Sequence, residues 1–187
     1  QGGELGAKQA TASTPTNRMY RNTGNWTFED VTEASGAGDI GYGQGVATGD
    51  VDNDGDVDIY VTNVGPNTLL LNDGTGVFAD ASSSAGVDHP GWGASASFLD
   101  VNADGLLDLY VTNYINWTAE TELECFSPTG ADYCSPKNYD SPALDVLYLN
   151  RGDGMFQDVS TAAGITASTG NGLGIACVDF DLDGAVD

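Results

Sequence analysis

A nine-residue acidic segment is written three times in this chain, and it limits the folds available to it. The copies are Asp50-Val-Asp52-Asn-Asp54-Gly55-Asp56-Val-Asp58, Asp100-Val-Asn102-Ala-Asp104-Gly105-Leu106-Leu-Asp108 and Asp179-Phe-Asp181-Leu-Asp183-Gly184-Ala185-Val-Asp187. Each places an oxygen-bearing side chain at positions 1, 3, 5 and 9 and a glycine at 6. Alternate residues of a tightly wound loop turn several carboxylates inward, and left alone those charges repel. A hard divalent cation resolves the conflict. Calcium takes about six to eight oxygens, and the backbone carbonyl at position 7 of such a loop supplies one more. The pattern predicts a chain that needs calcium to fold.

The same spacing opens an EF-hand or a dockerin loop, so the residues that follow must decide. An EF-hand requires a bidentate Glu at position 12 and helices on both sides. Position 12 here is Val61 or Val111, within the runs Ile59-Tyr60-Val61-Thr62-Asn63 and Leu109-Tyr110-Val111-Thr112-Asn113. These β-branched and aromatic runs read as strands, which puts the loop inside a β-hairpin.

The loop is one part of a longer unit that recurs about every fifty residues. A glycine-punctuated strand precedes each copy at Gly41-Tyr-Gly43, Gly91-Trp92-Gly93 and Gly170-Asn-Gly172. A turn block follows as Asn22-Thr-Gly24, Asn72-Asp-Gly74 and Asn150-Arg-Gly152, each with Phe six residues after the Asn, at Phe28, Phe78 and Phe156. Asn and Gly between apolar runs mark a hairpin turn with positive φ. The unit reads as four antiparallel strands, at about 44–50, 58–63, 68–72 and 77–81 in the first complete copy. The fold class expected is all-β: four-stranded antiparallel blades of a partial β-propeller, about three repeats, with little helix. The three Phe are expected in the blade core.

These blocks resemble the FG-GAP/VCBS repeat proteins, most closely the cartilage acidic protein-like branch associated with ASPIC/UnbV segments, and the resemblance covers about 18–187. It implies a β-propeller with calcium loops like those of the integrin α head. Carried over residue by residue, the ligands are Asp50, Asp52, Asp54 and Asp58; Asp100, Asn102, Asp104 and Asp108; and Asp179, Asp181, Asp183 and Asp187. The carbonyls of Asp56, Leu106 and Ala185 complete about three Ca²⁺ sites.

Two departures stand out. Even a small propeller needs about four blades, whereas this chain holds half a blade near 18–32, two full blades and the start of another. Either it is a piece of a longer protein, or another copy completes it head to tail. The second departure is an insertion at about 115–142, which contains Cys125 and Cys134 and suits a surface loop closed by a disulfide; two free thiols are the alternative. Cys177, two residues before Asp179, is expected as an unreactive core thiol.

Five basic against 28 acidic residues give a formal charge of −23, which argues against nucleic acid or an anionic membrane as partner. No stretch approaches the length of a membrane span. Calcium sites and a disulfide point to a secreted, extracellular or cell-surface setting, where millimolar calcium fills weak sites. Residues 1–17 read as a flexible or partner-contacting tail ahead of the 18–187 segment. Asn25-Trp-Thr27 and Asn116-Trp-Thr118 match the N-glycosylation acceptor pattern. Arg151-Gly152-Asp153 occupies a hairpin turn free to vary and is read as a turn, and Trp92 is read as packing.

With a lone histidine, His89, no Ser/His or Cys/His set can be assembled, and the carboxylates are concentrated in the loops, so no enzyme is expected. The reading is a non-enzymatic extracellular interaction or adhesion scaffold whose partner is a protein, a glycan or a copy of itself. The alternatives are a filament subunit joined by blade complementation and the accessory propeller of a secreted hydrolase or lyase.

Overall fold

The computed structural model describes residues 15–132 and 134–186. A two-stranded hairpin comes first, β1 (Tyr20–Gly24) and β2 (Thr27–Asp30). Blade A follows as an antiparallel meander of β3 (Tyr42–Gly49), β4 (Asp58–Val64), β5 (Thr68–Asn72) and β6 (Phe78–Asp80). Blade B repeats it with β7 (Gly93–Leu99), β8 (Asp108–Asn113), β11 (Val146–Asn150) and β12 (Phe156–Asp158). Between β8 and β11 the insertion adds a small hairpin, β9 (Cys125–Ser127) and β10 (Gly130–Asp132). It is closed by the Cys125–Cys134 disulfide, with Cα atoms 5.3 Å apart.

Strand alternation builds the core. On β4, Tyr60 points to one face and pairs in register with Leu69; on β8, Leu109 and Val111 pair with Tyr148 and Val146. These two faces meet, enclosing Val51, Ala85, Val87, Ala96 and Phe156, and the Tyr60 and Phe98 rings meet edge to face at 6.3 Å. Such burial is the main favourable term in folding. The innermost strands β3 and β7 run side by side, which demands glycine at the contact. A Cβ on Gly45 would lie 2.8 Å from the Ala94 carbonyl oxygen, and one on Gly93 would lie 2.7 Å from Asn67 Oδ1.

A one-turn helix follows each outer strand of the first two repeats, α1 (Thr32–Ser35) and α2 (Ser82–Ala85), and the third repeat makes the same Ala163 N–H to Val159 O bond. The cause is local. The carboxylates of Asp30, Asp80 and Asp158 accept the N–H two residues on, from Thr32, Ser82 and Ser160, an Asx turn that starts the helical turn. The hydroxyls of the same three residues accept from Met19, Leu69 and Leu147 N–H, tying each turn to the third strand of its unit. A further single turn, α3 (Pro136–Tyr139), lies in the insertion.

Three expectations are corrected. Gly170–Ala176 forms no strand; it makes the bridge Ala143↔Gly170, the Gly172 N–H bond to Asn113 O and the Asn171 Nδ2 bond to Tyr114 O. Among the described residues no second strand pairs with it; Leu173 and Val178 are exposed, and Cys177 is half-buried rather than core. Phe156 is buried and Phe78 half-buried, but Phe28, on the two-stranded β1–β2 hairpin, is exposed. The expected tail at 1–17 is not among these. Residues 1–14 of it lie outside the described residues, while Asn17 N–H donates to Asp39 O at 2.9 Å.

Candidate metal centre

Loops 1 and 2 join the first and second strands of their blades, and all three acidic loops are wound by their own carboxylates. In loop 1, Asp50 accepts from Asp54 and Gly55 N–H at 3.1 and 3.0 Å, and Asp54 Oδ1 accepts from Asp56 N–H at 2.9 Å. Loop 2 repeats this with Asp100, Asp104, Gly105 and Leu106, and loop 3 with Asp179, Asp183, Gly184 and Ala185. Position 3 joins in: Asp52, Asn102 and Asp181 each accept from the N–H at position 5. The glycine at position 6 has φ of +96°, +85° and +94° in the three loops, which a side chain resists. Position 4 is also left-handed, at Asn53, Ala103 and Leu182.

Position 9 differs from the rest. Asp58 and Asp108 are fully buried, and each spans the blade. Asp58 Oδ2 accepts from Val51 N–H and Oδ1 from Asn72 N–H, both at 2.9 Å. Asp108 accepts from Val101 N–H at 3.0 Å and Asn150 N–H at 2.8 Å. Burial pushes both carboxyls above their ordinary range, and the two N–H bonds pull the other way. Asp52 is also raised, by burial first and then by the charges of Asp58 and Asp54. Asp187, the expected third member, lies outside the described residues.

Loops 1 and 3 converge their oxygens. One carboxylate oxygen from each of Asp50, Asp52 and Asp58 falls within 4.8 Å of the others, and so it is for Asp179, Asp181 and Asp183. Anionic oxygens this close are unfavourable without a cation, and an all-oxygen donor set suits a hard one. These clusters can hold a metal ion. Among the described residues loop 2 gathers no such carboxylate trio: Asn102 takes position 3, and its Nδ2 donates to Asp104 Oδ2 at 2.9 Å. A profile of the FG-GAP-like repeat matches residues 10–61 and again 50–111, together more than half of the 187. The chain belongs to the FG-GAP-like repeat family. The two FG-GAP-like matches share 50–61, which contains loop 1, and the second runs on through loop 2. No curated protein matches the chain.

Sequence reasoning treated the turn Asn only as a hairpin residue, yet Asn72 and Asn150 anchor the position-9 carboxylates. A second overlooked set precedes that Asn by five residues, at Asn17, Asn67 and Asp145. The side chains of Asn67 and Asp145 accept the Asn63 and Asn113 N–H groups at 2.8 Å and cap the second strand of each blade. The fixed five-residue spacing was the available signal.

The remaining candidate positions separate by environment. Asn25 sits in the exposed β1–β2 turn, whereas the Asn116 amide donates to Pro142 O at 2.8 Å. Arg151 donates to Gln157 across its own hairpin at 2.9 Å. Trp92 packs edge to face on Tyr114 and Trp117, with centroids 5.3 and 5.7 Å away. His89 lines a cavity beside Trp92, Asp145 and Asp158. Burial holds its imidazole below the usual range, and Asp158 opposes this. No helix among the described residues is long and apolar enough to cross a membrane.

Proposed function

We propose that this chain is a calcium-stabilised FG-GAP-like propeller segment of the cartilage acidic protein-like branch, acting outside the cell as a non-enzymatic interaction or adhesion scaffold. The observation that carries the reading is the shared wiring of loops 1 and 2, in which a buried position-9 aspartate, Asp58 or Asp108, ties the acidic loop to its own blade. Asp50, Asp52, Asp54 and Asp58, with the Asp56 carbonyl, would hold one ion, and the matching positions of loops 2 and 3 would hold two more. A bound cation supplies charge neutralisation, and the protein supplies a preformed cradle. The Cys125–Cys134 disulfide supports an oxidising, extracellular setting. The ion is structural, so the scaffold's surfaces meet its protein or glycan partners.

A second reading, a subunit joined head to tail with copies of itself, draws on two features. A cavity of about 1070 Å³ lies between β1 and the Val46, Ile59, Val61 and Leu70 side of blade A, and Gly170–Ala176 offers backbone without strand partners. Calcium titration by calorimetry, with light scattering in calcium and after chelation, tests both readings. Heat of binding with a monomer that loosens on chelation supports the scaffold, and calcium-dependent polymers favour the subunit. A protein that binds no calcium sinks the metal reading.

A further inference from the structure

Blades A and B are joined by more than apolar packing. Asn150, only 4% exposed, spends every polar atom of its side chain: Oδ1 accepts from Gly152 N–H, and Nδ2 donates to Leu107 O of loop 2 at 3.1 Å and to Val51 O of loop 1 at 2.7 Å. Its backbone N–H meanwhile donates to Asp108 Oδ1, and Val51 N–H donates to Asp58 Oδ2. A continuous buried path therefore runs from the position-9 carboxylate of loop 2, through Asn150 and the Val51 peptide, to the position-9 carboxylate of loop 1. At the rim Asn53 Nδ2 adds a second link, to Gly105 O of loop 2 at 3.1 Å.

Loop 2 shows what the brace does. Val101 is the counterpart of Val51, but it is 39% exposed against 4% for Val51, which is pinned under blade B. Resting on the metal reading above, we infer that Asn150 is a positioning residue that couples the loops of successive blades, so that a cation held by loop 2 raises the affinity of loop 1. Fixing Asp108 and Leu107 fixes the Asn150 amide, which sets the Val51 peptide and through it Asp58. Buried, fully satisfied polar networks transmit position in this way, because each member has one arrangement that leaves no orphaned group. Coupling of this kind is reciprocal.

The test is a calcium titration of the full chain by calorimetry, with loop 3 silenced by Asp183→Asn throughout. Loop 1 affinity is measured with loop 2 intact and with loop 2 silenced by Asp104→Asn. In the parent, silencing loop 2 weakens loop 1 about five-fold or more. In Asn150→Ala that dependence disappears, and in Asn53→Gly, which keeps the left-handed backbone and touches no ligand, it shrinks. Circular dichroism reports whether Asn150→Ala folds; if it does not, Asn53→Gly alone decides, and an unchanged dependence there overturns the inference. Loop 1 affinity indifferent to loop 2 in the parent overturns the coupling but leaves the sites standing. No calcium heat from the parent overturns the sites and the coupling together.

Discussion

Asp58→Asn separates the structural role of the acidic loop from its role as a cation cradle. Asp58 is fully buried and accepts two backbone N–H groups, from Val51 and Asn72, at 2.9 Å each. Asparagine keeps one acceptor and turns its amide toward the other N–H, orphaning a buried donor at a cost of about 2 kcal/mol. Alanine would orphan both, roughly 4 kcal/mol, a large share of the ~5–15 kcal/mol that holds a typical domain together. Asp54 is the contrast. It is exposed and its Oδ1 accepts only Asp56 N–H, a bond that Asp54→Asn retains, so in limiting calcium that variant should stay within about 0.5 kcal/mol of the parent. In saturating calcium it loses the linkage term of its site, about 2.7 kcal/mol when the ion stands at 100 times Kd. Urea unfolding followed by tryptophan fluorescence at both calcium levels reads all four values. Equal losses for Asp58→Asn and Asp54→Asn at limiting calcium would refute the distinction between a buried strut and an exposed ligand.

Other perturbations follow from the same geometry. Gly93→Ala places a methyl 2.7 Å from Asn67 Oδ1 and 3.0 Å from Thr62 Cβ where blades A and B meet, and should cost about 1–3 kcal/mol in urea unfolding; an unchanged midpoint would contradict the close approach. Replacing Cys125 and Cys134 by Ser opens a short loop worth about 2–3 kcal/mol in the chain-entropy account; proteolysis should then cut within 115–142 first and leave the blades intact. Burial holds the His89 imidazole below its ordinary range in the fold, so the unfolded chain takes up a proton first. Its contribution to stability is complete above its unfolded value near pH ~6.5 and is lost as pH falls through the lower folded value; thermal melts across that window should flatten in His89→Asn.

Residues with a fixed period made most of the blade legible. The runs 58–63 and 68–72 carry their own alternation, and the observed strands Asp58–Val64 and Thr68–Asn72 follow them closely. The loops were legible as tight turns because the same Asp/Asn spacing and glycine recur in each copy, and the short Cys125–Cys134 interval suggested the bridge that is present. What escaped notice depends on partners far away in sequence. Gly170–Ala176 has the pattern of β3 and β7 but none of their pairing, since a strand needs a neighbour as well as a pattern. Asn150 looks like any hairpin residue until Val51, 99 positions earlier, is found against it. The one-turn helices were hidden by their length, for a single turn has no apolar period to detect.

The insertion between β8 and β11 is pinned at its base, where Asn116 and Ser141 exchange backbone and side-chain bonds and Ile115 bridges Pro142. Beyond that clasp and the Trp117 ring packed on Trp92, the insertion's strands β9 and β10 form a sheet of their own and pair with neither β8 nor β11. The site is therefore a ready graft point: a foreign peptide spliced in at about 120–137 would be displayed from a rigid base.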